Sequence, residues 1–352
     1  MEKMTAALNW VTAEAVSASY GAQEAYRSTT AAGRANIERV FCARWTSGIA
    51  VESCGDSGFR AAGPALADGP VQLSGAKTCL EAVCWHAEAT LPTKKRKRGN
   101  SRGAPDDGAD AIVLSDPMMS AAGAAPRRPD STVRFADGRT YFGRGGGKQR
   151  GLDVHKEVEH FVTLAPARFD ALHPAVDPLT KAVTMRLDAL ALVGIDGERG
   201  VHHLGWRAGT SIDILCLNKR GELAAVELKT GSNGCFTLPS RSHPTMKPPF
   251  QALAQSALNR ARLQVLFGAL LLEHSHNVHV AECFVIHAPV SDNDAVAFDL
   301  GPVAAYKERL REAIAAWRGP PAQDVLPYPY SVAAGTGPFG RTGWTAQNTR
   351  KY

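Results

Sequence analysis

The chain has 352 residues, a net charge of +6 at pH 7 and 44% hydrophobic residues, enough for about two domains and one sizeable core. Its pI near 9.0 fits a polyanionic partner. Seven cysteines with no CxxC pair argue against a disulfide framework and for reduced thiols in an intracellular protein; no apolar run is long enough to span a membrane, and Met1-Glu2-Lys3-Met4 does not open a signal peptide, so a soluble protein made in the cytosol is expected.

Residues 1–91 are rich in Ala, Gly, Ser and Thr and carry no chemical motif. A helix is expected around Thr5–Tyr26. Trp45, Cys79, Cys84 and Trp85 belong either to a small folded unit or to loosely ordered chain. Residues 92–130 read as a linker of small residues, Pro and Asp that buries too little apolar surface to order itself. It opens with the basic run Lys94, Lys95, Arg96, Lys97 and Arg98, which resembles a monopartite nuclear-localisation signal and would imply nuclear import machinery as a partner. The alternative is a solvated basic tract that touches nucleic acid without specificity.

Periodic structure begins after residue 130. Val133-Arg134-Phe135 and Thr140-Tyr141-Phe142 flank Asp137-Gly138, a hairpin signal. The glycine-rich stretch from Gly143 to Gly151 is not a phosphate-binding loop, because Gln149 stands where Ser or Thr should follow Gly147-Lys148. A helix is expected over Leu152–Ala165, with Val154, Val158, Phe161, Val162 and Ala165 on one apolar face and Pro166 as its stop. Residues 179–193 read as a second helix or a strand. Two strands follow, Ser211–Leu217 and Leu223–Thr230, joined by the turn Asn218-Lys219-Arg220-Gly221. A long helix from about Pro249 to Glu273, a strand over Val278–His287 and a helix over Pro302–Trp317 complete an α/β domain at 131–318. That last helix places Val303, Tyr306, Leu310, Ile314 and Trp317 on one side. A Pro/Gly-rich tail without periodicity occupies 319–352.

The hairpin carries the chemistry. With the turn centred on Arg220, paired positions sum to 440, so Asp213 faces Glu227. Lys229 lies two residues on, on the same side. Both strands are otherwise apolar on both faces, as central strands covered by helices are. Opposed carboxylates in such a sheet repel each other, and leaving them unpaired raises a pKa or costs on the order of several kcal/mol. A divalent cation resolves this. Mg²⁺ favours one or two carboxylates plus water and phosphate oxygens, and such an ion polarises a phosphodiester and acidifies water. Lys229 is then placed to orient the water or to stabilise charge in the transition state. The alternative is a Glu–Lys salt bridge on a solvated face, which the apolar flanks disfavour.

Gly209-Thr210-Ser211-Ile212-Asp213 followed by Val226-Glu227-Leu228-Lys229-Thr230-Gly231 resembles the D-x(n)-E-x-K core of PD-(D/E)XK nucleases. Gly151-Leu152-Asp153-Val154-His155 resembles the G-x-x-V-H segment of the RecB-type, lambda-exonuclease-like branch, whose histidine contributes to the metal site. The wheel puts His155 at the edge of the apolar stripe with Glu159 one turn on. Read alone, His155 is equally a packed helix residue. Gln264 fits the branch's Q-x-x-x-Y motif, with Gly268 where tyrosine is usual. Gln251 and Gln255 read as exposed helix residues.

The resemblance covers about residues 131–290. It implies a restriction-endonuclease-like core, a central mixed β-sheet flanked by helices in the order αβββαβ, preceded by a poorly defined N-terminal extension. It implies a metal site of His155, Asp213, Glu227 and Leu228, a catalytic set of Asp213, Glu227, Lys229 and Gln264, and Mg²⁺ or Mn²⁺ as cofactor. With Cys283 the only cysteine beyond the long helix, no iron–sulfur cluster is expected. The implied activity is metal-dependent hydrolysis of DNA in repair, recombination or viral replication, exonucleolytic or endonucleolytic, with or without a helicase partner and without a membrane. The alternatives are a catalytically silent nuclease-fold scaffold for nucleic acid, and an unrelated basic adaptor. Lys148, Arg150, Arg207, Lys247, Arg260 and Arg262 are candidate phosphate contacts, though each alone is better read as solvated surface. His274, His276 and His279 read as a polar loop rather than a zinc site.

Overall fold

The computed structural model describes residues 19–47, 50–54, 58–63, 66, 69–85, 133–134, 140–141, 143–231, 236, 244–289, 294–301 and 303–319. Among them the fold is mixed α/β, with eight helices, a five-stranded mixed sheet, a three-stranded antiparallel sheet and a two-stranded ribbon. The basic run 94–98, the linker 92–130 and the tail beyond Gly319 lie outside the described residues, as does most of the helix expected from Thr5.

Helix α1 (Tyr20–Ser28) is capped by Ser19, whose hydroxyl accepts from the Ala22 N–H and donates to the Ile195 carbonyl at 2.7 Å. Helix α2 (Ala31–Ser47) follows. Strands β1 (Ala50–Ser53), β2 (Phe59–Ala62) and β3 (Val71–Leu73) form the small sheet, and helix α3 (Ala76–Val83) closes this part. Ala22, Ile37, Phe41, Cys79, Leu80, Cys84 and Trp85 are buried in one apolar cluster with Leu215, Leu266 and Val285 of the larger sheet and its covering helix. These N-terminal segments therefore share a core with the rest of the fold.

Strands β4 (Val133–Arg134) and β5 (Thr140–Tyr141) pair antiparallel, as their flanking sequence predicts. Helix α4 runs Gly143–Thr163, starting earlier than its apolar periodicity indicates. Val154, Val158 and Val162 are buried, whereas Phe161 is half exposed and packs edge-on against Phe169 at 5.5 Å. Pro166 does not merely stop α4: it opens helix α5 (Pro166–Leu172), where its missing N–H costs nothing. The stretch read as helix or strand is helix α6 (Pro178–Ala189), capped by Asp177.

Strands β6 (Val193–His203), β7 (Ala208–Leu217), β8 (Leu223–Gly231), β9 (Val280–Pro289) and β10 (Val296–Asp299) make the larger sheet in the order β10-β9-β8-β7-β6. Only β8 and β9 run parallel. The β7–β8 register is Ile214↔Val226 through Leu217↔Leu223, the pairing that a turn centred on Arg220 dictates. Asn218 builds that turn, its side-chain oxygen accepting from the Arg220 and Glu222 N–H groups.

Helix α7 spans Ala257–His276, not Pro249–Glu273. Its start is set by Ser256, whose hydroxyl accepts from the Asn259 N–H, while Pro248-Pro249 keeps the preceding stretch non-helical. Gln251 is exposed and Gln255 buried, and neither is on the helix. Helix α8 (Val303–Arg318) buries Val303, Leu310 and Ile314 but leaves Trp317 39% exposed.

The sheet is a middle layer. One face carries Ile214, Cys216, Ala224, Val226, Leu228, Phe284, Ile286 and Ala288 against α4 and α6. The other carries Leu215, Leu217, Leu223, Ala225, Cys283 and Val285 against α7 and α8. No helix among the described residues is long and apolar enough to cross a membrane.

Candidate metal centre

The β7–β8 ladder ends one step before Asp213 and Glu227. Beyond it the Asp213 side chain replaces the missing backbone acceptor: its Oδ2 takes the Leu228 N–H at 2.7 Å. On its other side, β7 pairs with β6 in steps that run from Gly197↔Ile214 to Arg199↔Ile212, so Glu198 stands opposite Asp213. Glu198 has φ +47°, a left-handed conformation rare for a residue with a side chain and costly inside a strand. There it swings its carboxylate towards α4.

Helix α4 brings His155 to meet it. The His155 Nδ1 lies 3.6 Å from a Glu198 oxygen and 3.9 Å from Asp213 Oδ2. One donor atom from each of His155, Glu198 and Asp213 falls within 4.8 Å of the others, the only such metal-compatible group among the described residues. This close approach depends on Gly197. A Cβ there would sit 2.9 Å from the Glu159 Cα, so any side chain pushes α4 off the sheet. Gly197→Val is expected to destabilise the fold by about 1–3 kcal/mol through overpacking and to weaken Ca²⁺ binding by separating His155 from Glu198. Thermal melting and calorimetry on one preparation check both effects; unchanged Ca²⁺ affinity would remove the link between this packing and the centre.

Glu227 is buried, and its carboxylate is bonded by the Lys229 ammonium rather than turned to the His155 group. Burial, and then the Asp213 charge, push its pKa up to about 8 against the pull of Lys229. Asp213 is raised too, chiefly by burial, with His155 and Lys229 opposing. Burial works against charge on His155 and Lys229, but their carboxylate neighbours outweigh it and both are raised. The centre thus holds more protons folded than unfolded. A carboxyl whose folded pKa is raised loses stability as pH climbs from its unfolded value to its folded one, and loses no more above that. In EDTA the melting temperature is therefore expected to fall as pH rises from about 6.5, the unfolded histidine pKa, to about 8, the folded value of Glu227. Glu227→Gln is expected to flatten that slope. A melting temperature that climbs over this range would contradict the assignment of these pKa values.

Glu159, one turn from His155, is half-buried and raised by burial and by Glu198, which adds acidity to the same corner. Leu228 has only its main-chain carbonyl to offer a cation. Gln264 is half-buried on α7. At the glycine four residues on, packing is tight: a Cβ at Gly268 would lie 3.1 Å from the Ile212 side chain, so a tyrosine there requires Ile212 to give way.

Most of the basic candidates are committed to the fold. Arg150 is buried in a two-pronged ion pair with Asp177 at 2.9 and 2.8 Å. Lys247 donates to the Glu81 and Ala82 carbonyls. Arg260 lies over Trp85, and Arg262 bonds Asn259 and the Asp299 carbonyl. Arg207 is exposed, and the Lys148 side chain lies outside the described residues. Of the three histidines near residue 276, His279 pairs with Glu273 at 3.0 Å, while His276 lies beside Arg199 and Ser275. His276 is held well below its ordinary pKa by burial and by Arg199.

Glu198 is the residue that sequence reasoning missed. Comparison with protein-family models finds no match, and comparison with curated proteins finds none either.

Proposed function

We propose that the protein is a divalent-cation-dependent nuclease that hydrolyses phosphodiester bonds of DNA, with a core of the PD-(D/E)XK type. The observation that carries this reading is the meeting of Asp213, Glu227 and Lys229 with His155 and Glu198 where two central strands part. In support, the elements from α4 to β9 run as three helices, three antiparallel strands, a helix and a parallel strand, which accommodates the αβββαβ order that the motifs imply with α5 and α6 added. The donor set of carboxylates and one imidazole suits Mg²⁺ or Mn²⁺.

His155, Glu198, Asp213, Glu227 and the Leu228 carbonyl would hold the cation, which when bound supplies Lewis-acid polarisation of the scissile phosphodiester. Asp213 is held in place by the Leu228 N–H. Glu227 is poised between two partners, the Lys229 ammonium and the cation site. Lys229 brings a fixed positive charge to the phosphate and can orient an attacking water. Cleavage of labelled linear, circular and single-stranded DNA by the purified full chain, with Mg²⁺, Mn²⁺ or EDTA, tests the reading. Cleavage only with a cation supports it; no cleavage of any substrate would favour a silent scaffold.

For localisation we propose nuclear entry driven by Lys94, Lys95, Arg96, Lys97 and Arg98. A fluorescent fusion with these five residues changed to Ala is expected to move to the cytoplasm. An unmoved distribution would reduce the run to a solvated basic tract.

A further inference from the structure

Lys229 and His287 occupy matched positions on the parallel strands β8 and β9. Both fall on the face covered by α7, because Leu223 and Ala225 on β8 and Cys283 and Val285 on β9 share their alternation. His287 is only 4% exposed, its ring stacks on Phe236 at 4.4 Å, and its Nε2 is buried without a hydrogen-bond partner among the described residues. Burial lowers its pKa, so the ring is neutral near pH 7 and keeps one nitrogen as an acceptor. At the matched position of the neighbouring strand, the Lys229 ammonium is held by Glu227, the same carboxylate that the proposed centre needs for a cation. The Lys229 side chain is 30% exposed, and a partly buried ammonium that loses its carboxylate is held in place only by another protein acceptor.

We propose that His287 is a positioning residue for this centre: its Nε2 accepts from the Lys229 Nζ once Glu227 turns to a bound cation. The inference rests on the nuclease reading. It gives a buried ring nitrogen, unpaired among the described residues, a partner from the neighbouring strand. It also gives Lys229 a second resting partner, so the ammonium stays at the phosphate instead of following Glu227. The ring must then carry its proton on Nδ1.

Two measurements on the full chain test it. The first is the ¹⁵N histidine spectrum in EDTA and in Ca²⁺, a non-activating probe. An unprotonated His287 Nε2 that shifts towards a hydrogen-bonded value on Ca²⁺ addition is expected. The second compares His287→Phe, which keeps the stacked ring but no acceptor, with His287→Gln, which keeps an acceptor. His287→Phe is expected to lower kcat by about 10- to 100-fold, the scale of misplacing a reacting group, with KM and melting temperature held. His287→Gln is expected to recover most of the rate. A His287 signal blind to Ca²⁺ in a protein that binds it, a fully active His287→Phe, or equal losses in the two variants overturns the inference alone. A wild type that neither binds Ca²⁺ nor cleaves overturns the metal centre itself.

Discussion

Asp213→Asn is expected to abolish cleavage while leaving the fold at least as stable as the wild type. The asparagine oxygen can still accept the Leu228 N–H that now bonds Oδ2, so the parting of β7 and β8 is preserved. What disappears is a negative charge that faces Glu198 and Glu227 in a buried setting. Without a cation that charge is a burden, as the raised pKa of both Asp213 and Glu227 shows. In the proposed centre, Asp213 would be the carboxylate shared by the His155–Glu198 side and the Glu227 side. The loss is expected to reach roughly three orders of magnitude or more, the upper range for removing a central electrostatic group. Calorimetry with Ca²⁺ should show binding lost in parallel. Melting curves in EDTA should show the mutant equal to or above the wild type. A mutant that unfolds would mean that Asp213 serves the fold.

Lys229→Ala separates chemistry from structure in a different way. Lysine is no ligand, so Ca²⁺ binding is expected to survive. The cleavage rate is expected to fall by roughly two to three orders of magnitude, typical of one lost electrostatic group. DNA affinity should drop only by about one phosphate contact. The ion pair with Glu227 makes the opposing forecast concrete. If Lys229 only neutralises a buried carboxylate, its removal lowers the melting temperature and leaves the rate per folded molecule unchanged. Rate and melting temperature on the same preparation distinguish the two. A less stable but fully active mutant would end the catalytic role of Lys229.

The hairpin was legible because its apolar strands and its Asn218–Gly221 turn leave one register, and that register alone brings Asp213, Glu227 and Lys229 together. His155 was legible only through the resemblance of Gly151–His155 to the G-x-x-V-H segment; its place at the edge of an apolar helix stripe agreed but, read alone, fitted a packed helix residue equally well. Glu198 was not. Its strand, Val193–His203, mixes glycines, charges and histidines without alternation, carries a bulge between Gly194 and Asp196, and turns Glu198 left-handed. The signal available was an acidic residue beside Gly197 one strand before the aspartate, and its meaning depends on a helix packed close enough to touch. Likewise Arg150 read as solvated surface, or at most a candidate phosphate contact, because sequence does not show that Asp177, 27 residues on, waits for it in the core. The start of α7 was readable in principle, since Ser256 follows a Pro-Pro pair; apolar periodicity drew the helix too far back.

The central claim is that cation-dependent phosphodiester cleavage occurs at the Asp213 centre. Single-turnover cleavage of a labelled linear duplex by the full chain, across a Mg²⁺ titration, tests it most directly with wild type and Asp213→Asn side by side. The account predicts a wild-type rate that rises to saturation with Mg²⁺, vanishes in EDTA and returns when Mg²⁺ is restored, against a flat baseline for the mutant. Cleavage that persists in excess EDTA, or an Asp213→Asn protein that cuts at the wild-type rate, would contradict it.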